Sequence, residues 1–386
     1  MSQPNGLQIK EVTDKATLDE FIKLPWSVYQ NDPNWVSPLV LERRMHLSRK
    51  NPYFAHADCR FWVAYRGQEP VGRISAQIDR LYLDRYKDAT GFWGMFEALE
   101  DVSIFRILFE TAEGWLKEKG MQRSLGPFNL SINQECGLLI KGFEFPPSMM
   151  MGHAPRYYGP NIELLGYGKA KDLLAYSIKK VPEILKKIHD ILGSVKGEVQ
   201  TRPLMKRDLK RELDIMFGIF NDAWSGNWGF VPFTKEEYND IGKSMSFLAR
   251  QEFIRIAEIN GEPAGFIAVL PNLNEIISDL DGRLLPFGWM RLLWRIRFHK
   301  FKTGRILLMG VLSKYQDSLA GAAVSLSLIR DIMKEVLDSS ISELELSWIL
   351  EDNVAMRRII EALGAEPYKV YRIYEKDISG DLDATK

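Results

Sequence analysis

Two stretches of the chain carry the same alternation of apolar and polar positions, interrupted at the same point by a turn. Residues 60–79, RFWVAYRGQEPVGRISAQID, set β-branched and aromatic residues on either side of Gly67, Glu69 and Pro70, which predicts a strand, a tight turn and a second strand. Residues 253–272, FIRIAEINGEPAGFIAVLPN, repeat the pattern around Asn260, Gly261, Glu262 and Pro263, and each second strand opens with a glycine, Gly72 or Gly265. Downstream of each hairpin the apolar period lengthens to that of a helix. In 102–119 Ile104, Leu108, Ala112, Trp115 and Leu116 share a face, with Asp101 placed to cap the start and Gly120 to end it. In 322–337 Val324, Leu328, Ile332 and Val336 do the same after the polar pair Asp317 and Ser318. Each helix leads into a short predicted strand, 121–128 or 343–349.

The halves also finish alike. LLGYGKAKDLLAYSIKK (164–180) and ALGAEPYKVYRIYEK (362–376) each place a tyrosine ten residues after a glycine, at Tyr176 and Tyr374. A helix capped by Asp352, with Met356, Ile359, Ile360 and Leu363 on one face, precedes the second of these. Each half reads strand, helix, hairpin, strand, helix, strand, helix, strand, an α/β unit on a mixed sheet. Three matched features in one order indicate an internal duplication. Residues 180–212 between the halves are polar and basic, punctuated by Pro182 and Gly193, which predicts a boundary there and domains at 1–182 and 195–386.

A length of 386 residues suits two such domains, and 46% hydrophobic with 26% charged residues excludes disordered and low-complexity classes. The 51 basic residues balance 51 acidic ones, so no global field favours nucleic acid as a partner. Cys59 and Cys136 are too few and too far apart for a disulfide framework or a zinc site, and the five histidines show no metal-like spacing, so no metal is expected. The first residues lack a charged segment followed by an apolar run, and no stretch approaches the roughly 18 apolar residues of a membrane span. A cytoplasmic location is the expectation.

Several segments together resemble the GCN5-related N-acetyltransferase (GNAT) superfamily, and the whole chain resembles a tandem of two such units. They are FIKLPWSVYQNDPNWVSPL (21–39), VGRISAQID (71–79), GFWGMFE (91–97), GPFNLSINQECGLLIKGFEFPPSMMMGHAPRYY (126–158), GYGKAKDLLAY (166–176) and NDAWSGNWGFVPFT (221–234). They are most similar to a bacterial double-GNAT group that includes proteins implicated as ceramide synthases. The resemblance implies two mixed, mostly antiparallel twisted sheets flanked by helices. It further implies direct attack of an amine on the thioester of acyl-coenzyme A, a carboxylate or water taking the proton, and a splayed strand pair holding the pantetheine arm. The cofactor pyrophosphate would rest on backbone N–H groups where a glycine-rich turn opens a helix. In the second half that turn corresponds to 310–328, which points to Val311, Gln316, Ser318, Gly321 and Ala322. Gln316 stands where the superfamily has arginine and Leu319 where it has the first glycine, and the leucine side chain crowds an approaching phosphate. In the first half EALEDVSIFR (97–106) is acidic at the same place, so the second half is the expected donor side and the first the acceptor side.

The densest polar group is Asn129, Ser131, Asn133 and Glu135. If that run is extended, all four side chains share a face and set hydrogen-bonding groups beside a general base; the alternative is a polar loop satisfying its own backbone. Glu97, embedded among Phe92, Trp93 and Phe96, is a second candidate base whose pKa burial would raise, or else an exposed strand end. His153, Tyr157 and Tyr158 follow the Met149–Met151 run; they are read as an acceptor pocket in which Tyr158 assists the leaving thiolate, or as core. Asn227 and Trp228 are read as an acceptor wall or a turn anchored by tryptophan. The acid tyrosine usual in the superfamily's last helix is absent, its place taken by Ile360. Segment 289–305, WMRLLWRIRFHKFKTGR, has six Lys or Arg, two Trp and no acid. It reads as a helix for peripheral membrane contact or for the phosphates of coenzyme A, or as a solvated helix packing Leu292, Trp294 and Phe298 inward.

The leading expectation is an acyl-CoA-dependent N-acyltransferase working in a cleft between two domains on a small-molecule or long-chain lipid amine. Glu135 or Glu97 would be its base and Asn129 and Asn133 would orient the amine. A Fem-like aminoacyl transferase and a catalytically silent ligand-binding or scaffold protein are the alternatives.

Overall fold

The alternating runs are antiparallel hairpins in the computed structural model, which describes residues 6–179, 183–192, 199–248 and 250–380. Thirteen strands form among those residues: β1 (Leu7–Glu11), β2 (Ala57–Arg66), β3 (Glu69–Asp79), β4 (Thr90–Ala98), β5 (Arg123–Gly126), β6 (Leu138–Lys141), β7 (Gly168–Lys179), β8 (Val199–Pro203), β9 (Ile254–Ile259), β10 (Glu262–Pro271), β11 (Thr303–Val311), β12 (Glu343–Leu350) and β13 (Glu366–Asp377). Gly67, at φ 63°, turns β2 into β3, and Asn260 and Gly261, at φ 54° and 81°, turn β9 into β10.

The chain divides into two compact units. Unit 1 takes the described residues up to Leu173, Ile277–Met290 and those from Lys369 on; unit 2 takes Leu174–Ile276 and Arg291–Tyr368. In unit 1 the strand order is β1-β2-β3-β4-β5-β13, with β6 also on β13; in unit 2 it is β12-β11-β10-β9-β8. Only β4–β5 and β11–β12 pair in parallel among these neighbours, so the pairing within each unit is mixed and mostly antiparallel.

The duplication is visible in the packing. A Cβ on Gly72 of β3 would come 2.7 Å from Ile104 and Leu108, and one on Gly265 of β10 would come 2.8 Å from Val324 and 3.4 Å from Leu328. Each missing side chain lets the long helix of its unit, Val102–Glu118 or Leu319–Leu337, lie close on the sheet through the same pair of positions. Asp101 caps the first helix, accepting from Ser103 N at 2.8 Å, and Ser318 caps the second, accepting from Gly321 N at 3.1 Å. The predicted cap at Asp352 is displaced by one residue: Asn353 Oδ1 accepts from Met356 N at 3.1 Å and opens the helix Val354–Ala362.

A single cut between 182 and 195 does not separate the two units. Residues 180–182 and 193–198 of the expected boundary, Pro182 and Gly193 among them, lie outside the described residues. The physical reason for the different division is a reciprocal exchange of the tyrosine-bearing strands. Residues of β7 from Leu174 on belong to unit 2, and those of β13 from Lys369 on belong to unit 1. Tyr176 Oη donates to Glu361 Oε1 at 2.6 Å within unit 2, and Tyr374 Oη donates to Glu163 Oε1 at 3.0 Å within unit 1. Each glutamate stands three residues before the glycine of its own repeat, so each tyrosine meets the glutamate contributed by the other copy.

Candidate functional site

Both units open a strand pair at the same place, and they differ in what enters the gap. In unit 1 the β4–β5 ladder runs only from Thr90↔Arg123 to Phe92↔Leu125, although β4 continues to Ala98. Opposite β3 the register of β4 shifts between Arg73 and Ser75, and Met95 takes φ 45°, so β4 bulges away from its parallel neighbour. The loop after β5 enters the opening: Phe128 N donates to Trp93 O at 2.8 Å, and Met95 N donates to Asn129 Oδ1 at 2.7 Å. A Cβ on Gly94 would lie 1.7 Å from Phe128 O, so backbone fills the wedge itself.

That loop decides between the two readings of Asn129, Ser131, Asn133 and Glu135: the run is a polar loop satisfying its own backbone, not an extended strand. Leu130 at φ 85° breaks the strand path, Gln134 N bonds Ser131 O at 3.1 Å, and Asn129 N bonds Glu135 O at 2.8 Å, all closed by a bridge between Phe128 and Cys136. The four side chains therefore do not share one face. Asn129 and Glu135 still meet, Nδ2 to Oε2 at 3.0 Å, while Ser131 Oγ accepts from Asn133 N at 3.2 Å in a serine turn. Burial pushes the Glu135 carboxyl up, but Arg43, the Asn129 amide, His46 and Arg73 outweigh it and hold the group below the usual glutamate value. Arg43 Nη1 stands 3.7 Å from Glu135 Oε1. Glu135 is a pinned anion.

Glu97 has the opposite character. It leaves β4 directly across from Arg73 of β3, with Arg73 Nη2 3.7 Å from Glu97 Oε1. Tyr158 Oη donates to Glu97 Oε2 at 2.8 Å and accepts from Ala98 N at 2.8 Å, and Tyr157 Oη donates to Ala98 O at 2.8 Å. The two tyrosines thus hold both polar groups of Ala98, the residue that ends β4. Tyr29 Oη donates to His153 O at 2.9 Å and also faces the Glu97 carboxyl. Burial raises the Glu97 pKa above the ordinary value, against the pull of Arg73 and of the Tyr158 and Tyr29 hydroxyls, and the Glu135 charge adds to the rise. Burial and the adjacent Glu97 push the Tyr158 hydroxyl well above its usual range, which keeps it protonated and donating to Glu97. The alternative of an exposed strand end for Glu97 is excluded by its 14% side-chain exposure.

His153 lies on the same side. Its ring is 3% exposed, with Nε2 2.8 Å from Asp32 Oδ2, and its Nδ1 is buried with no partner among the described residues. With Nε2–H donating to Asp32, Nδ1 offers a lone pair, a ready acceptor for a polar hydrogen. Tyr29 stacks on Trp35 at 5.1 Å, and Trp35 meets Trp26 edge-on at 5.3 Å.

In unit 2 the β11–β12 ladder stops at Ile306↔Leu346, while the strands run on to Val311 and Leu350. The register of β10 against β11 shifts between Ala268 and Val269, the counterpart of the bulge in unit 1. Val311 ends β11, Gln316 and Ser318 lie in the connection, and Gly321 and Ala322 lie in the first turn of the helix, so the structure gathers the five expected cofactor residues. Several of their groups are committed internally. Gln316 Nε2 donates to Val311 O at 2.9 Å and Ala223 O at 3.1 Å, Ser318 Oγ takes Gly321 N, and Ala322 N bonds Ser318 O at 3.0 Å. The amides of Leu319 and Ala320 precede the helical ladder and have no acceptor among the described residues. Leu319 is 76% exposed and fills no space inside the turn. Asn227 and Trp228 lie in a turn built on Trp224, whose ring packs on Gly310 of β11.

Sequence reasoning passed over Arg73, Tyr29, Asp32, Arg43 and His46. Burial, followed by the field of Arg43, lowers the His46 pKa to about 4. The segments containing Tyr29, Asp32 and Arg73 are among those that carry the GNAT resemblance, which was the available signal. The helix in 289–305 also departs from one reading: Gly288–Phe298 is helical, but Trp294 and Phe298 are 62% and 60% exposed, not packed inward. No helix among the described residues is long and apolar enough to cross a membrane, and no cluster among them is arranged to hold a metal ion.

Comparison with known proteins gives two full-length relatives. The chain is 45% identical to protein YghO of Escherichia coli over 374 residues, covering 96% of this chain and 95% of that one. It is 42% identical to the bacterial ceramide synthase of Caulobacter vibrioides over 375 residues, covering 96% and 97%. No family model matches the sequence. Among solved structures, a tandem GNAT protein from the clavulanic acid biosynthesis pathway aligns over 97% of this chain and 99% of its own, with a TM-score of 0.55 at 12% identity. A GCN5-related N-acetyltransferase from Sphaerobacter thermophilus aligns over 97% and 96%, with a TM-score of 0.54 at 12% identity. These two share the fold.

Proposed function

The chain belongs to the tandem-GNAT family that contains YghO and the bacterial ceramide synthase, and on that premise we propose that it is an acyl-CoA-dependent N-acyltransferase acting on a long-chain amine. The observation that carries the proposal is the asymmetry of the two strand openings. Backbone fills the one in unit 1, whereas in unit 2 the strands part after Ile306 and Leu346 and a helix begins nearby with two uncommitted amides. Unit 2 fits the donor: parted strand edges for an extended amide-bearing arm, and the amides of Leu319 and Ala320 for a phosphate. Acyl-CoA supplies a thioester carbonyl carbon for attack and a thiolate to leave.

Unit 1 carries the side chains suited to the acceptor amine. Glu97, with its raised pKa, takes a proton from the bound ammonium and leaves a neutral amine whose lone pair attacks the thioester carbonyl; the N–C bond forms as the C–S bond breaks, and the proton the nitrogen then loses goes to the departing thiolate. Arg73 keeps the carboxyl from being permanently protonated, and Tyr158 fixes its orientation. The Nδ1 lone pair of His153 receives a polar hydrogen of the acceptor, and the amine or a neighbouring hydroxyl on a long-chain amino alcohol has one to give. Glu135, pinned by Arg43 and Asn129, serves as a fixed charge that holds the loop against β4.

Isothermal titration with acetyl-CoA and then palmitoyl-CoA tests this reading. Saturable binding of the long-chain thioester is expected. Absence of binding to either thioester would favour the silent scaffold, a reading that Gln316 in place of arginine also supports.

A further inference from the structure

Apart from any chemistry at Glu97, one surface is built in a way that a protein surrounded only by water does not require. The segment Leu285–Phe298 exposes seven large apolar side chains: Leu285 at 81%, Phe287 at 72%, and Trp289, Met290, Leu293, Trp294 and Phe298 at 46–62%. Met290, Trp294 and Phe298 are spaced four residues apart on the helix Gly288–Phe298 with Leu293 three after Met290, so they share a face, and the Trp294 and Phe298 rings touch at 5.7 Å. The opposite side is fixed to the protein: Leu292 and Ile296 are half-buried, and Arg295 Nη1 donates to Ile276 O at 2.8 Å. A helix face that leaves this many apolar side chains exposed marks an interaction site.

The charges around it say what kind. From Gly282 to Gln316 there is no aspartate or glutamate, whereas Arg291, Arg297 and Lys300 are all exposed; Arg283 is paired with Asp281 at 3.7 Å. Arg297 lies within the apolar face, its guanidinium 5.3 Å from the Phe298 ring centroid. Tryptophan and phenylalanine on a face bordered by arginine match a bilayer interface, where the rings enter the acyl boundary and the guanidinium groups meet lipid phosphates.

The part of the segment that belongs to unit 1, up to Met290, is also tethered to that unit's polar cluster. Gly282, three residues before Leu285, packs against the Trp26 ring, and Trp26 continues through Trp35 to Tyr29. Val40 N further bonds Gly282 O at 3.0 Å. We propose that Leu285–Phe298 docks the protein on the surface of an anionic lipid bilayer.

Co-sedimentation of the full chain with vesicles tests the proposal without any enzymatic readout. With phosphatidylglycerol mixed into phosphatidylcholine the protein is expected to sediment, less so as salt is raised, and less so with phosphatidylcholine alone. The double variant Trp294→Glu, Phe298→Glu alters only exposed side chains and should weaken binding about tenfold or more while its melting by circular dichroism is unchanged. Arg291→Glu with Arg297→Glu should abolish the preference for anionic lipid. No sedimentation with the anionic vesicles, or equal sedimentation of the Trp294→Glu, Phe298→Glu protein, would overturn it. A concentration-dependent dimer that the same double variant dissolves, in a protein indifferent to vesicles, would reassign the face to a second copy of the chain.

Discussion

Replacing Glu97 by glutamine will lower turnover of a long-chain amine by about 10²–10⁴-fold, the range associated with loss of a positioned general base. Glutamine keeps an oxygen for the Tyr158 hydroxyl, so the Ala98 staple survives, and palmitoyl-CoA binding in unit 2 should be unchanged. The pH dependence separates catalysis from structure. Glu97 works as the carboxylate, and burial holds its pKa above the ordinary glutamate value. The rate of the native protein should therefore rise with pH through a limb placed above the usual carboxylate range, and the glutamine variant should lack that limb. Glu135→Gln should lose less and keep the limb, because a carboxyl held below its ordinary value by Arg43 and Asn129 is a poor base at neutral pH. Retention of both turnover and the pH limb in Glu97→Gln would remove Glu97 from the reaction.

The second large effect concerns the exchanged strand. Ending the chain at Tyr368 should unfold unit 1, although every residue of that unit's own sequence half is retained. The deletion removes the β13 ladder with β5 and four hydrophobic side chains that are at most 3% exposed, Tyr371, Ile373, Tyr374 and Ile378. Burial of each such side chain contributes roughly 1.5–3 kcal/mol, so the four together reach about 6–12 kcal/mol, against a typical total of about 5–15 kcal/mol for a domain. Glu113, nine-tenths buried, also loses Lys376 at 2.9 Å, and Asp172 loses its paired bonds from Arg372 at 2.8 and 3.1 Å. Loss of near-ultraviolet circular dichroism together with aggregation is the expected outcome for the truncated chain. A soluble 1–368 protein with the native melting profile would contradict the exchange.

The contrast between what the sequence discloses and what it hides follows from which interactions are local. The hairpins were legible because Gly67 and Asn260–Gly261 set their turns within four residues. The long helices were legible because Ile104 and Leu108, like Val324 and Leu328, mark their buried faces by spacing alone. The partner of a strand is not local information. β13 carries the same alternation whichever sheet receives it, and only the distant Glu163 and Glu361 reveal that the tyrosines have changed places. Period-two polarity made Asn129–Glu135 resemble a strand, while the positive φ at Leu130, a residue type that gives no warning of it, turned the run into a loop. Arg73 carries no signal in the spacing of its own segment; its role exists only because the register of β3 on β4 places Glu97 opposite.

Hydrogen exchange followed by mass spectrometry, with and without palmitoyl-CoA, asks directly which strand opening holds the donor. Protection is predicted in β11 beyond Ile306, in β12 beyond Leu346 and at Leu319–Ala322, with β4 and the 127–137 loop unchanged. Protection of 93–98 and 127–137 instead, with none at 319–322, would contradict the assignment of the donor to unit 2.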